Sequence, residues 1–357
     1  MAFISKITPS LAGISGLYST FLTTLYFIIM SCHVHAEALL AYTPTKERIK
    51  ANAVVASDGT GDFTSLQDAI NAAPNNSTAY YYIYVKKGTY KEVVTIPQNK
   101  NYIYLVGEEA STTILTYDNY ASRRKPDGSE YGTSGSASFF ARGNNFVAEN
   151  ITFENTAGMT AGQALAINIG ARRSSFRNCR FLGHQDTWYA ANGTFQYLKD
   201  CFIEGSVDFI FGGSTAFFDN CQLKSTRNGY ITAASTPLGQ AHGYIFQRCT
   251  LTARPGVVSH SVYLGRPWRP HAKVLFVECA MDNHIQQVGW HNWGKPENEK
   301  TAFYAEYKST GLGADIAKRV PWSHQLTSEQ AAALTYDQVL GSQHPRFISD
   351  NLLLNSK

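Results

Sequence analysis

This 357-residue chain lacks most of the short signatures that mark common enzyme classes. No Gly-x-Ser-x-Gly elbow is there to present a serine nucleophile. No His-Glu-x-x-His occurs, and the ten histidines show no tight ligand spacing, so no metal is expected. A phosphate-cradling glycine loop is missing, and no Lys/Arg cluster suggests a nucleic-acid partner. Beyond residue 30 no apolar run is long enough to cross a bilayer. Together these absences leave a pair of aspartates as the best catalytic candidate.

What the chain does have is a folded composition, 44% hydrophobic and 13% aromatic. It is long for one ordinary core, but a solenoid grows without thickening. Lys6, the apolar stretch from Leu17 to Met30 and the small-residue site Val34-His35-Ala36 read as a signal peptide over residues 1–36. The alternative is an uncleaved anchor, which the short, Ser/Thr-interrupted run disfavours. A connector (37–52), a repeat domain (53–347) and a tail (348–357) follow. The expected protein is secreted, monomeric, free of membrane and mildly basic, which suits a polyanionic partner.

The repeat is read from cysteines. Cys179, Cys201, Cys221, Cys249 and Cys279 each follow an apolar residue by three positions: Phe176, Leu198, Phe218, Phe246 and Phe276. Each precedes another by two: Phe181, Ile203, Leu223, Leu251 and Met281. Positions 0 and +2 share one face of a strand, but −3 and 0 do not. All three can be inside only if the chain bends at the polar residue just before each cysteine: Asn178, Asp200, Asn220, Arg248 and Glu278. A looser copy puts Ile151 in the cysteine slot. Spacings of 22, 20, 28 and 30 residues predict stacked parallel strands with loops of varying length.

Asp186 and Asp208 each lie seven residues after a cysteine of this series. If the coils stack at roughly 4.8 Å, the two carboxylates come within about 5 Å. So close a pair splits in pKa, yielding one acid and one nucleophile or base. The bland alternative is two solvated turn aspartates.

With Cys32 removed, five cysteines remain, an odd number, in an oxidising compartment. Neighbouring slots satisfy disulfide geometry, and Cys201–Cys221, on the shortest coil, is the expected pair. Reduced cysteine would serve equally as apolar filler. Helical spacing over Phe63–Ala72 and a capping box at Thr327-Ser-Glu-Gln330 predict helices at the two ends of the solenoid. Arg123–Ser138 reads as a polar surface loop. Of four sequons, at Asn75, Asn76, Asn150 and Asn192, the first two are the expected acceptors.

Five ordered segments carry a family likeness. Gly88-x-Tyr-x-Glu92, Gln163-Ala-Leu-Ala, Gln185-Asp-Thr187, Asp208-Phe-Ile-Phe-Gly212 and Leu264-Gly-Arg-Pro-Trp268 resemble the signature segments of pectin methylesterases. The likeness runs from about Val54 to His344. It departs at Leu165, His184 and Trp188, changes expected to tune subsites, and its tail looks microbial rather than plant-like.

The resemblance implies an all-β, right-handed parallel β-helix that hydrolyses C6 methyl esters of homogalacturonan, without a cofactor. Asp208 would be the nucleophile, held ionised with a low pKa by Arg266. Asp186 would be the acid and then the base. Gln185 and Gln163 would bind the oxyanion. Tyr189, Phe211 and Trp268 could be core filler, but each lies within three residues of a proposed catalytic group. They are therefore expected to line the groove and, with Val207, to contact substrate; His184 is expected to be structural. The rivals are a polygalacturonase-like hydrolase and a non-catalytic pectin-binding relative.

Overall fold

The structure, a computed structural model, describes residues 47–341, 344, 345, 347 and 352–355. The signal-peptide expectation therefore lies outside the described residues. Glu47–Lys50 and Leu352–Asn355 form a two-stranded sheet, so the connector and tail are not wholly irregular.

From Ala53 onward the chain winds as a parallel β-helix. An 11-stranded sheet begins at Ala53–Val55 and ends at His324–Gln325, taking one strand per coil. Every strand pairing in it is parallel, as in Phe195–Lys199 against Thr215–Asp219. A second, 13-stranded sheet supplies the other two faces of each coil. Those two faces are separate strands in most coils but fuse where Phe202–Gly212 and Gln222–Ala234 run straight through the corner.

The bend inferred from the cysteine pattern is present in each copy. Asn178, Asp200, Asn220, Arg248 and Glu278 all have left-handed backbone, with φ between 50 and 54°. Asn150 (φ 56°) does the same before Ile151. Asparagine and aspartate tolerate this region better than most L-residues. They also ladder between coils, since Asn178 Nδ2 donates to Asn150 Oδ1 at 2.7 Å and Asn220 Nδ2 to Asp200 Oδ1 at 2.6 Å.

Inside, the slots stack by kind. Phe218, Phe246 and Phe276 are fully buried, with successive ring centres 4.3 and 4.6 Å apart, close to the spacing of hydrogen-bonded strands. The five cysteines form a file beside them. Cys201 and Cys221 are not bridged as expected: both are free thiols, like Cys179, Cys249 and Cys279. Each Sγ instead points back along the axis. Cys201 donates to the Phe176 carbonyl at 3.4 Å and Cys221 to that of Leu198 at 3.5 Å. The slot is a packing position, and burial pushes the thiols of Cys201 and Cys221 up, away from reactive thiolate.

The ends are finished differently. Helix Leu66–Ala72 buries Leu66, Ala69 and Ile70 against the first coils. It starts later than the helical spacing predicts because Ser65 caps it. Glu92 accepts from the Leu66 and Gln67 amides at 2.8 and 3.2 Å, and a carboxylate at a helix N-terminus is favourable. The Gly88-x-Tyr-x-Glu92 segment therefore secures the N-terminal cap. The capping box at Thr327 and Gln330 does form. Its helix, however, does not close the far end: with Tyr336–Leu340 it covers an outward row of Tyr197, Phe217, Ile245, Leu275 and Ala305. These occupy one register position on successive strands, so they make an apolar stripe that needs a cover.

Candidate active site

The long strands that fuse the two faces carry the site. Asp208 sits inside Phe202–Gly212, and Asp186 precedes Trp188–Ala190 on the coil before. Trp188 pairs with Ile210 and Tyr189 with Phe211, so the aspartates are two residues upstream of equivalent positions. Both have left-handed backbone, φ 64° for Asp186 and 53° for Asp208. The repeat register thus delivers two carboxylates to one place, and both are buried, 7% and 5% exposed.

Arg266 arrives from Val262–Pro267, two coils beyond Asp208. Its Nε donates to Asp208 Oδ1 at 2.9 Å and its Nη2 to Oδ2 at 2.7 Å. The fork reaches back over a coil whose residue in that register is Ala233, a small one. Gly265 lets the strand settle so closely: a Cβ there would stand 1.9 Å from Thr232 Oγ1.

Electrostatics separate the two acids. Burial pushes the Asp186 carboxyl well above the usual range, and neighbouring Asp208 adds to the rise. Arg266 opposes it more weakly. For Asp208, burial also wins and the pKa is raised, against the expected depression, although hydrogen bonds from Arg266 oppose the rise. Removing a carboxylate from water outweighs one partly exposed guanidinium. The ranking stands nonetheless, since Asp186 holds its proton more tightly.

The two aspartates open into a cavity of about 320 Å³. Gln163, Gln185, Tyr189, Phe211, Arg266 and Trp268 line it, as the sequence predicts. Gln163 and Gln185 are neighbours through a parallel bridge of their backbones. The regular strand begins only at Ile167, so Gln163 lines the cavity from the stretch before it. Tyr189, Phe211 and Trp268 make a continuous apolar wall, with centres 4.9 and 6.0 Å apart. Val207 does not line the cavity; it is half-buried, and its carbonyl accepts from the Asp186 amide at 3.0 Å. Trp188 faces inward instead, fully buried against Phe218 and Tyr244, so it tunes the core and no subsite.

Thr133, Ser134 and Trp293 also line the cavity, and sequence reasoning did not single them out. The first two belong to a helical turn, Gly132–Gly135, within the expected surface loop. Trp293 lies on one face of the Arg266 guanidinium and Tyr230 on the other. The signal for Tyr230 was masked: between the strands of Asp208 and Tyr230 the register shifts twice, so counting from the cysteines misplaces it.

The pectinesterase family profile matches residues 52–343. The chain belongs to this family. It is 43% identical to pectinesterase 31 of Arabidopsis thaliana over 297 residues, which is 82% of the chain and 93% of the relative. It spans about half the length of relatives named pectinesterase/pectinesterase inhibitor, such as number 18 of Arabidopsis thaliana (38% identity, 80% of the chain, 52% of the relative). Among solved structures it resembles pectin methylesterase from carrot, with TM-score 0.77 and 34% identity over 82% of this chain and 93% of that one. It resembles the pectin methylesterase PemA of Erwinia chrysanthemi at TM-score 0.74 and 32% identity, covering 84% and 99%. The microbial look of the tail is not a guide to the whole chain, given the 43% match to a plant relative.

Proposed function

We propose that this pectinesterase hydrolyses the C6 methyl esters of homogalacturonan by acyl transfer through Asp208. The observation that carries the reading is the bidentate Arg266–Asp208 pair beside a second carboxyl whose pKa burial raises. Asp208 Oδ attacks the ester carbonyl, and the side-chain amides of Gln163 and Gln185 donate to the oxyanion. One such donor is worth about 3 kcal/mol. The carbon–methoxy bond then breaks, and Asp186 gives its proton to the departing methanol. Asp186, now ionised, takes a proton from water as that water attacks the acyl-enzyme. The bond to Asp208 breaks, releasing the galacturonic acid and restoring both aspartates.

A similar structure of a pectin methylesterase is described in complex with a hexasaccharide (TM-score 0.74, 32% identity), which supports a polysaccharide in the cleft. The wall of Tyr189, Phe211 and Trp268 offers apolar faces on which sugar rings stack. The protein is read as a secreted monomer, with glycans at Asn75 and Asn76, both exposed. No described helix is long and apolar enough to cross a membrane.

Methanol release from methyl-esterified oligogalacturonate tests the proposal, with chain ends counted in parallel. Methanol without new reducing ends is the expected result. New reducing ends would mean a chain-cutting hydrolase, and neither product would mean a binding protein.

A further inference from the structure

Bidentate hydrogen bonds fix the edge of the Arg266 guanidinium but leave its plane free to tilt about the carboxylate. Two rings remove that freedom. Arg266 Cζ lies 3.8 Å from the centre of the Tyr230 ring and 3.7 Å from that of Trp293. A planar, delocalised cation is the group that such a sandwich accepts.

The rings come from different parts of the chain, and each is braced. Tyr230 belongs to Gln222–Ala234 and stacks on Tyr263, centres 5.1 Å apart and 13° from parallel. Trp293 has φ 66°, an outlier for a bulky side chain. Its backbone N–H donates to His291 Nδ1 at 3.0 Å, which holds the turn. The His291 ring in turn sits 5.6 Å from Tyr230 and 5.4 Å from Tyr263. Trp293 lines the cavity, whereas Tyr230 does not, so Tyr230 touches the machinery through Arg266.

We propose that Tyr230 and Trp293 form an aromatic clamp that positions Arg266, with Tyr263 and His291 as its braces. The clamp sets the angle at which Asp208 meets the ester. It rests on the reading of Asp208 as nucleophile. Tyr230 is a positioning residue; Trp293 combines that role with a place in the cleft wall.

Steady-state methanol release by Tyr230→Leu, Tyr230→Phe, Trp293→Leu and Trp293→Phe tests the clamp. The leucine variants should lose kcat by about 30- to 100-fold, as ångström-scale misplacement of reacting groups does. KM should stay within about threefold for Tyr230→Leu and rise as well for Trp293→Leu, which also removes cleft wall. Asp208 faces Arg266 and Asp186, so loosening the guanidinium should also move the acid limb of kcat/KM to higher pH. Phenylalanine keeps a ring on the cation and should restore most of kcat. Leucine variants with normal kcat, a change in KM alone, or phenylalanine variants as slow as leucine would each overturn it. If Trp293→Leu does not fold, the Tyr230 pair decides. A separate reading comes from the Arg266 Nε–H proton, which ring currents should shift in the wild type and not in the leucine variants. A wild type that releases no methanol would sink the esterase reading, and that resonance would still judge the clamp.

Discussion

The inner and outer sides of the same coils obey opposite rules. Inward, one residue type recurs down the stack: phenylalanine at 218, 246 and 276, cysteine at 179, 201, 221, 249 and 279. Outward, the register row across the cleft face reads Phe140, Asn168, Tyr189, Phe211, Ala233 and Arg266, nearly a different residue on each coil. Uniform slots stack with uniform groups because a close-packed interior rewards repetition. Chemistry needs the reverse, unlike groups brought side by side. The solenoid supplies both, holding spacing from within while the cleft face varies.

The comparison breaks most sharply at Asp208. Asp208→Ala leaves the interior untouched and should lower turnover by about 10⁴-fold or more, as loss of a covalent nucleophile does. Methanol release from the purified variant measures it, and a trapped adduct on that variant would reassign the nucleophile.

Asp186→Asn keeps the shape, and asparagine tolerates the left-handed backbone. It removes both the proton donor and the later base, so turnover should fall by roughly 10³-fold, with acyl-enzyme accumulating in intact-mass spectra. Normal turnover would end the assignment. The same variant should be more stable at neutral pH. The folded pKa of Asp186 is raised, so its cost is absent below the unfolded carboxyl value and grows as pH rises through the raised folded value. Removing the ionisable group should stabilise the fold at pH 7 and change nothing near pH 3. Chemical melts at the two pH values check the sign.

Arg266→Lys exchanges a planar fork for a point charge and cannot fill the space between two rings. A loss of about 10²-fold is expected, read as kcat. A lysine variant at full rate would mean that charge alone suffices.

How much of this was legible depended on which side of the coil a residue faces. The cysteine period revealed the coil, its polar corner and the coincidence of Asp186 with Asp208, because interior slots repeat. Cleft residues off the period were harder. Gln163, Gln185, Phe211, Trp268 and Arg266 came from their place in recognised segments, and Tyr189 from lying three residues after Asp186. Tyr230 was lost to two register shifts, and Thr133 and Ser134 to a loop with no period. Val207 and Trp188 were misplaced for one reason: within a strand, neighbours alternate faces, and each is one residue away from a position that does line the cleft. The low pKa expected for Asp208 failed because charge pairing is visible in sequence and depth of burial is not.

The interior makes its own, smaller prediction. Phe246→Ala removes the middle ring of a stack of three and should cost about 3–5 kcal/mol of stability. The folded fraction should keep its kcat, since no cleft residue is touched. A drop in kcat at full folding would show that the two sides of the coil are coupled.

The smallest effect expected is none. A Cys201–Cys221 disulfide would close a loop of about 20 residues, worth roughly 3 kcal/mol in the chain-entropy model, and reductant would lower the melting temperature by several degrees. The file of free thiols gives no such handle. Each Sγ is satisfied by a carbonyl of the coil before it, and burial raises the pKa of the Cys201 and Cys221 thiols, which keeps that pair away from reactive thiolate. Melting curves with and without dithiothreitol should superpose, and five thiols should titrate after denaturation of the mature chain. A reductant-sensitive transition would restore the bridge and make one pair of coils covalently different from the rest.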